Sequence, residues 1–144
     1  MTAGVHSGSC LCGQVRFTAA GPLADVLVCH CRQCRKMSGH CFAATAVPQA
    51  RFRLIRTEGL EWLASSTASK RGFCRVCGSS LFFHHGEDEP IGIAAGAFDD
   101  DPPLTVAAHI YVDEAGPYYT IEDGCPQFSA AGWRDGGWKQ FRSL

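Results

Sequence analysis

Seven of the nine cysteines in this chain fall into short-spaced groups: Cys10-Leu11-Cys12-Gly13, Cys29-His30-Cys31-Arg32-Gln33-Cys34 and Cys74-Arg75-Val76-Cys77-Gly78. Two residues between thiols let the backbone turn so that both sulfurs face one metal, and a following glycine permits the tight turn. Cys10, Cys12, Cys74 and Cys77 together make four thiolates, the closed tetrahedral set of a structural zinc, whose binding energy would be part of the folding energy. Cys29, Cys31 and Cys34 offer three thiolates, and three protein ligands with an open fourth position is the pattern of a catalytic zinc.

The charge of the second set indicates its chemistry. Zinc with three thiolates carries a formal charge of -1 and is a poor Lewis acid toward water. It can still bind an incoming thiol as thiolate below the usual thiol pKa of about 8.5. Arg32, Arg35 and Lys36 are cations that offset the cluster and could attract an anionic thiol. Spacing alone leaves alternatives open. Cys10 and Cys12 could pair with Cys29 and Cys31, Cys74 and Cys77 could be a redox pair, or His30, His40 or Cys41 could close a second structural site.

These groups have to be held by strands. Val15 and Phe17 alternate with Gln14, Arg16 and Thr18, and Phe52 and Leu54 with Arg51 and Arg53. Leu81 and Phe83 lie in Ser80–His84, and Leu104–Val112 is rich in branched and aromatic residues. Turn signals separate them at Gly21-Pro22, Val47-Pro48, Gly86 to Pro90, Asp99 to Pro103 and Gly116-Pro117. Only Arg32–Ser38 reads as a helix, and a short one. The expectation is a mainly β domain spanning residues 1–144, with a core over about 8–128 and a tail over 129–144.

Composition narrows the setting. The net charge is -1, which gives no electrostatic footprint for nucleic acid and no basic face for anionic membranes. There is no apolar run of membrane-spanning length, and Met1 to Ser9 lacks the regions of a signal peptide. A cytoplasmic protein is expected, where short-spaced cysteines are more often metal ligands than disulfides. Among other candidates, His84-His85 reads as a strand end with its rings on opposite faces. Asp99-Asp100-Asp101 reads as a solvated turn without the spaced ligands of a calcium loop. Cys41 and Cys125 read as buried thiols, and Trp62, Trp133 and Trp138 as packing residues. His30, between two ligands, reads as either a hydrogen-bonding neighbour of the site or a solvent-facing spacer.

The order of the motifs resembles the glutathione-dependent formaldehyde-activating enzyme family, whose domain is shared with centromere protein V. The matching pieces are Gly8–Phe17, Cys29–Gly39, Ser65-Ser66, Arg71–Ser79, His109–Val112 with Pro117, and Asp123–Phe128. The resemblance implies a small β-tent-like fold related to zinc ribbons. It implies two zinc ions per chain, a structural one on Cys10, Cys12, Cys74 and Cys77 and a functional one on the catalytic cysteines Cys29, Cys31 and Cys34. The implied activity is that of a carbon–sulfur lyase: reversible addition of glutathione, or a related small thiol, to formaldehyde or another small aldehyde. A non-catalytic thiol carrier or a purely structural two-zinc module are the alternatives. The segment Asp113–Tyr118 departs from the family's usual lysine and Ala-Pro-Trp, and Cys125 stands where leucine is common. Both changes leave the proposed ligands intact.

Overall fold

Strand-forming alternation dominates the chain, and the computed structural model, which describes residues 2–141, is mainly β with two short helices. A three-stranded antiparallel sheet is built from β1 (Val5–Ser9), β2 (Arg16–Ala20) and β5 (Phe52–Arg56). A larger, eight-stranded sheet contains β3 (Val26–Cys29), β4 (Phe42–Val47), β6 (Leu60–Ala64), β7 (Ser69–Cys74), β8 (Ser80–His85), β9 (Ile91–Ala94), β10 (Val106–Ile110) and β11 (Gln127–Phe128). Its order is β11-β10-β3-β4-β9-β8-β7-β6, with β10 parallel to both β3 and β11. The helices are α1 (Arg32–Ser38), as the sequence predicts, and α2 (Ala130–Arg134).

The core lies where the two sheets meet. Phe17 of β2 and Phe52 of β5 face Phe82 of β8, and Phe98 closes the group. Ring centroids are 5.2 to 5.9 Å apart and mostly edge-to-face. Burying each such ring contributes about 1.5–3 kcal/mol. Cys10 and Cys74 belong to the same buried cluster, so two members of the first cysteine group are anchored in the core, while Cys77 is half-buried and Cys12 exposed. Trp62 stacks on Phe82, and the Lys70 ammonium lies 4.7 Å from the Trp62 ring centroid.

Three expectations are corrected in detail. The strand expected over Leu104–Val112 is confined to Val106–Ile110, because Pro102 and Pro103 lack amide donors and Tyr111 turns left-handed at φ 57°. In β8 the period of two breaks: Leu81 and Phe82 are both buried, because the register with β7 shifts between Gly72 and Phe73. In β5 the alternation does not set burial: Leu54 lies on this edge strand and is 38% exposed. The tail holds α2, capped by Ser129, whose side chain accepts from the Gly132 amide. There Phe128, Trp133 and Phe141 pack together, and residues 142–144 lie outside the described residues.

Candidate metal centres

The turn after β1 carries Cys10 and Cys12, Cys74 ends β7, and the turn that follows carries Cys77. Gly13 and Gly78 both adopt φ 80°, the left-handed turn expected of the glycine that follows each pair. The four sulfurs lie within 4.8 Å of one another. Cys10 and Cys12 are separated by 3.6 Å and Cys12 and Cys74 by 3.8 Å. Tetrahedral thiolates about 2.3 Å from a zinc would sit about 3.8 Å apart, so the set fits the ion. These separations are far beyond a disulfide bond of about 2.05 Å, and all nine cysteines are free.

Polar groups already favour thiolates at Cys10 and Cys77, whereas the Cys12 thiol is raised to about 11. The Val15 amide donates to Cys10 Sγ at 3.2 Å. Burial pushes the Cys10 thiol up, but the Val15 amide and the neighbouring thiols outweigh it and leave it lowered. The Ser79 hydroxyl, 3.2 Å from Cys77 Sγ, holds that thiol low, at about 5. Ser79 also accepts from the Leu11 amide, tying the two turns together.

Cys29, Cys31 and Cys34 also converge, with all three sulfurs within 4.8 Å. Cys29 ends β3, Cys31 caps α1, and Cys34 lies one turn into it. The Cys34 amide donates to Cys31 Sγ at 3.3 Å, and the two sulfurs are 3.2 Å apart. Hydrogen bonds from Cys29 and Cys34 hold the Cys31 thiol far below its ordinary range, and hydrogen bonds to Cys31 and Cys34 push Cys29 far above it. The three thiols titrate as one coupled set, in which ionising one sulfur opposes ionising its neighbours, and a bound cation would relieve that opposition. Among the described residues, no further set of three His, Cys, Asp or Glu side chains converges in this way.

Of the cations the spacing favours, Arg35 is half-buried on α1, and Arg32 and Lys36 are exposed. Arg71, from β7, is 7% exposed and donates from Nη2 to Cys34 Sγ at 3.6 Å and to Gln33 Oε1 at 3.4 Å. Its guanidinium lies 5.0 Å from the Phe83 ring, and its Nε has no hydrogen-bond partner among the described residues. Gln33 in turn donates to the Ser65 carbonyl, docking α1 on the β6–β7 turn.

His30 is buried at 1% exposure, so the solvent-facing reading is corrected. Burial holds its pKa down at about 4, which keeps the ring neutral. Its partners, Tyr119 and His109, come from distant segments, and His109 continues to Asp123. Cys41 and Cys125 are half-buried rather than buried. His84 and His85 face Gln49 and Ser69, and Asp99 and Asp100 pair with Ser9 and His6. A groove of about 670 Å³ is lined by Ser9, Cys10, Leu11, Ser79 and Asp99 on one side and by Ser38 and Phe42 on the other. No helix among the described residues is long and apolar enough to cross a membrane.

Comparison with known proteins agrees with this geometry. Residues 5–114 match the glutathione-dependent formaldehyde-activating enzyme family. A Schizosaccharomyces pombe protein named as an uncharacterized lyase is 26% identical over 125 residues, covering 86% of this chain and 90% of its own. The crystal structure of a Rhodobacter sphaeroides protein shares the fold with a TM-score of 0.56 at 21% identity, over 85% of this chain and 99% of that one.

Proposed function

The chain belongs to the glutathione-dependent formaldehyde-activating enzyme family, and from that premise we propose that it is a zinc-dependent carbon–sulfur lyase joining a small thiol reversibly to a small aldehyde. Glutathione and formaldehyde are the substrates that the family's name suggests. The observation that carries the reading is the unequal ligand count, four converging cysteines in one group and three in the other. Three protein ligands leave a coordination position that a thiol can take.

In this reading Cys29, Cys31 and Cys34 hold the functional zinc, and Cys10, Cys12, Cys74 and Cys77 hold the structural one. The bound ion supplies a positive centre that keeps a substrate thiol ionised and oriented near neutral pH. The chain's own residues set its surroundings. The Arg71 guanidinium, beside Cys34, offsets the negative charge of the cysteine cluster in a buried position. The α1 amide at Cys34 fixes Cys31.

The reaction balances without a redox partner. The sulfur–carbon bond forms, the carbonyl π pair moves to oxygen, and the thiol proton ends on the new hydroxyl. Bringing the two reactants together is the main source of rate, since the addition is otherwise bimolecular. The test is formation of the formaldehyde–glutathione adduct by zinc-loaded protein and by Cys31→Ser. Acceleration by the first and none by the second is expected. Zinc-loaded wild type that runs no faster than buffer refutes the proposal.

A further inference from the structure

A buried polar chain runs through the residue between two of the proposed ligands. The Tyr119 hydroxyl is 2.5 Å from His30 Nδ1, His30 Nε2 is 2.9 Å from His109 Nδ1, and His109 Nε2 is 2.7 Å from Asp123 Oδ2. Both imidazoles are buried, at 1% and 7% exposure, whereas Asp123 is exposed. The four residues come from the end of β3, from β10 and from the segment that follows it.

Chemistry gives the chain a direction. An ionised carboxylate only accepts, so His109 carries its hydrogen on Nε2. With that single ring hydrogen on Nε2, His109 offers a bare Nδ1, which accepts from Nε2–H of His30. His30 Nδ1 is bare in turn and accepts the Tyr119 hydroxyl. Each ring is confined to one tautomer and one orientation.

The backbone gives the chain its purpose. Residues i and i+2 of an extended segment share a side, and the residue between them points the opposite way. Cys31 is extended, at φ -65° and ψ 161°. Cys29 and Cys31 therefore turn toward the metal position while His30 turns into the protein, where His109 and Tyr119 grip it. The His30 amide also donates to the Ile110 carbonyl at 3.0 Å.

We propose that Asp123, His109 and Tyr119 are positioning residues of the three-cysteine site: by locking His30 they hold Cys29 and Cys31 in ligand geometry and slow metal loss from that site. The proposal rests on the reading of Cys29, Cys31 and Cys34 as a metal site. Tyr119 and Asp123 both lie beyond the residues 5–114 that match the family, so the lock is completed from the carboxy-terminal segment. Outer partners of metal ligands typically change affinity 10–100-fold.

The experiment uses the full chain loaded with zinc and follows release to a chelator. The phase that Cys31→Ser removes reports the three-cysteine site, and the remaining phase serves as the internal control. Asp123→Asn keeps the shape but can donate as well as accept, so it frees the tautomers. It should speed the first phase about tenfold and leave the control phase unchanged, with Asp123→Glu restoring the wild-type rate. Histidine ¹⁵N spectra should show His30 and His109 as Nε2–H tautomers in wild type and as mixtures in Asp123→Asn. Nδ1–H tautomers in wild type overturn the lock. An unchanged first phase, or equal acceleration of both phases, overturns its effect on the metal. A wild type with no phase that Cys31→Ser removes contradicts the metal reading itself, and with it the proposal, while the spectra still report whether the lock exists.

Discussion

The two cysteine groups use the same side chain but differ in how far apart along the chain their members lie. Cys10 and Cys74, at 4% and 0% exposure, are packed among the residues that join the two sheets. Their partners Cys12 and Cys77 come from two turns 62 and more residues away from each other's pair, so closing the set links the amino-terminal arm to the middle of the chain. The second group is local, spanning only Cys29 to Cys34, and two of its three cysteines are half-buried. A site that joins distant segments carries folding energy, whereas a site within one β–α turn can lose its metal with less effect on the rest. β7 connects the two, with Arg71 beside Cys34 and, three residues on, Cys74 in the other set.

The largest way to break this contrast is Cys74→Ser. Structural zinc sites contribute about 10–16 kcal/mol of apparent binding energy, comparable to a whole domain's stability of about 5–15 kcal/mol. Loss of the cooperative thermal transition is expected by circular dichroism. Cys31→Ser should behave differently, with a melting temperature within about 5 °C of wild type, as for a substitution outside the main core, and adduct formation at the buffer rate.

Arg71→Met, which keeps much of the packing and removes the charge, should weaken zinc at the three-cysteine site about tenfold in a competitive titration. That is the low end of a hydrogen bond to a charged group. Arg71→Lys should recover part of the loss, and the four-cysteine site should hold its metal as before. Gly59→Ala tests the other side. A Cβ there would lie 2.7 Å from Cys74 Sγ and 3.1 Å from Gln14 Cβ. Overpacking of this kind costs about 1–3 kcal/mol, visible in a denaturant melt, with no change in zinc release from the three-cysteine site.

The smallest effect concerns His6 on β1, in the arm that leads to Cys10. Burial alone lowers its pKa, but hydrogen bonds to the Thr2 carbonyl and Asp100 outweigh this and raise it above 6.5. A raised folded pKa gives stability that is complete below the unfolded value and is lost as pH rises through the folded one. The melting temperature should fall by about 1–2 °C as pH rises from 6 to 8, and His6→Gln should flatten that slope.

The converging cysteines were legible as short pieces because each piece is local: Cys10 with Cys12, Cys29 with Cys31 and Cys34, Cys74 with Cys77, and α1 at Arg32–Ser38 are each written within a few residues, while the meeting of Cys10 and Cys12 with Cys74 and Cys77 across 62 residues is made by the fold. Contacts made by the fold were not legible. Arg71 reaches Cys34 across 37 residues, and Asp123, His109 and Tyr119 reach His30 from 79 to 89 residues away or through one another. No local pattern marks such pairs. The alternation of two residues with His30 between ligands was the available clue, since an extended Cys-His-Cys points its histidine away from the metal. α2 leaves no signal in the sequence because five residues are too few to show a helical period.

The division of labour between the two groups is tested most directly by counting zinc in the intact, folded protein with native mass spectrometry, wild type beside Cys31→Ser. Two ions per chain in wild type and one in the folded variant are predicted. The same count in both would contradict a metal role for Cys29, Cys31 and Cys34.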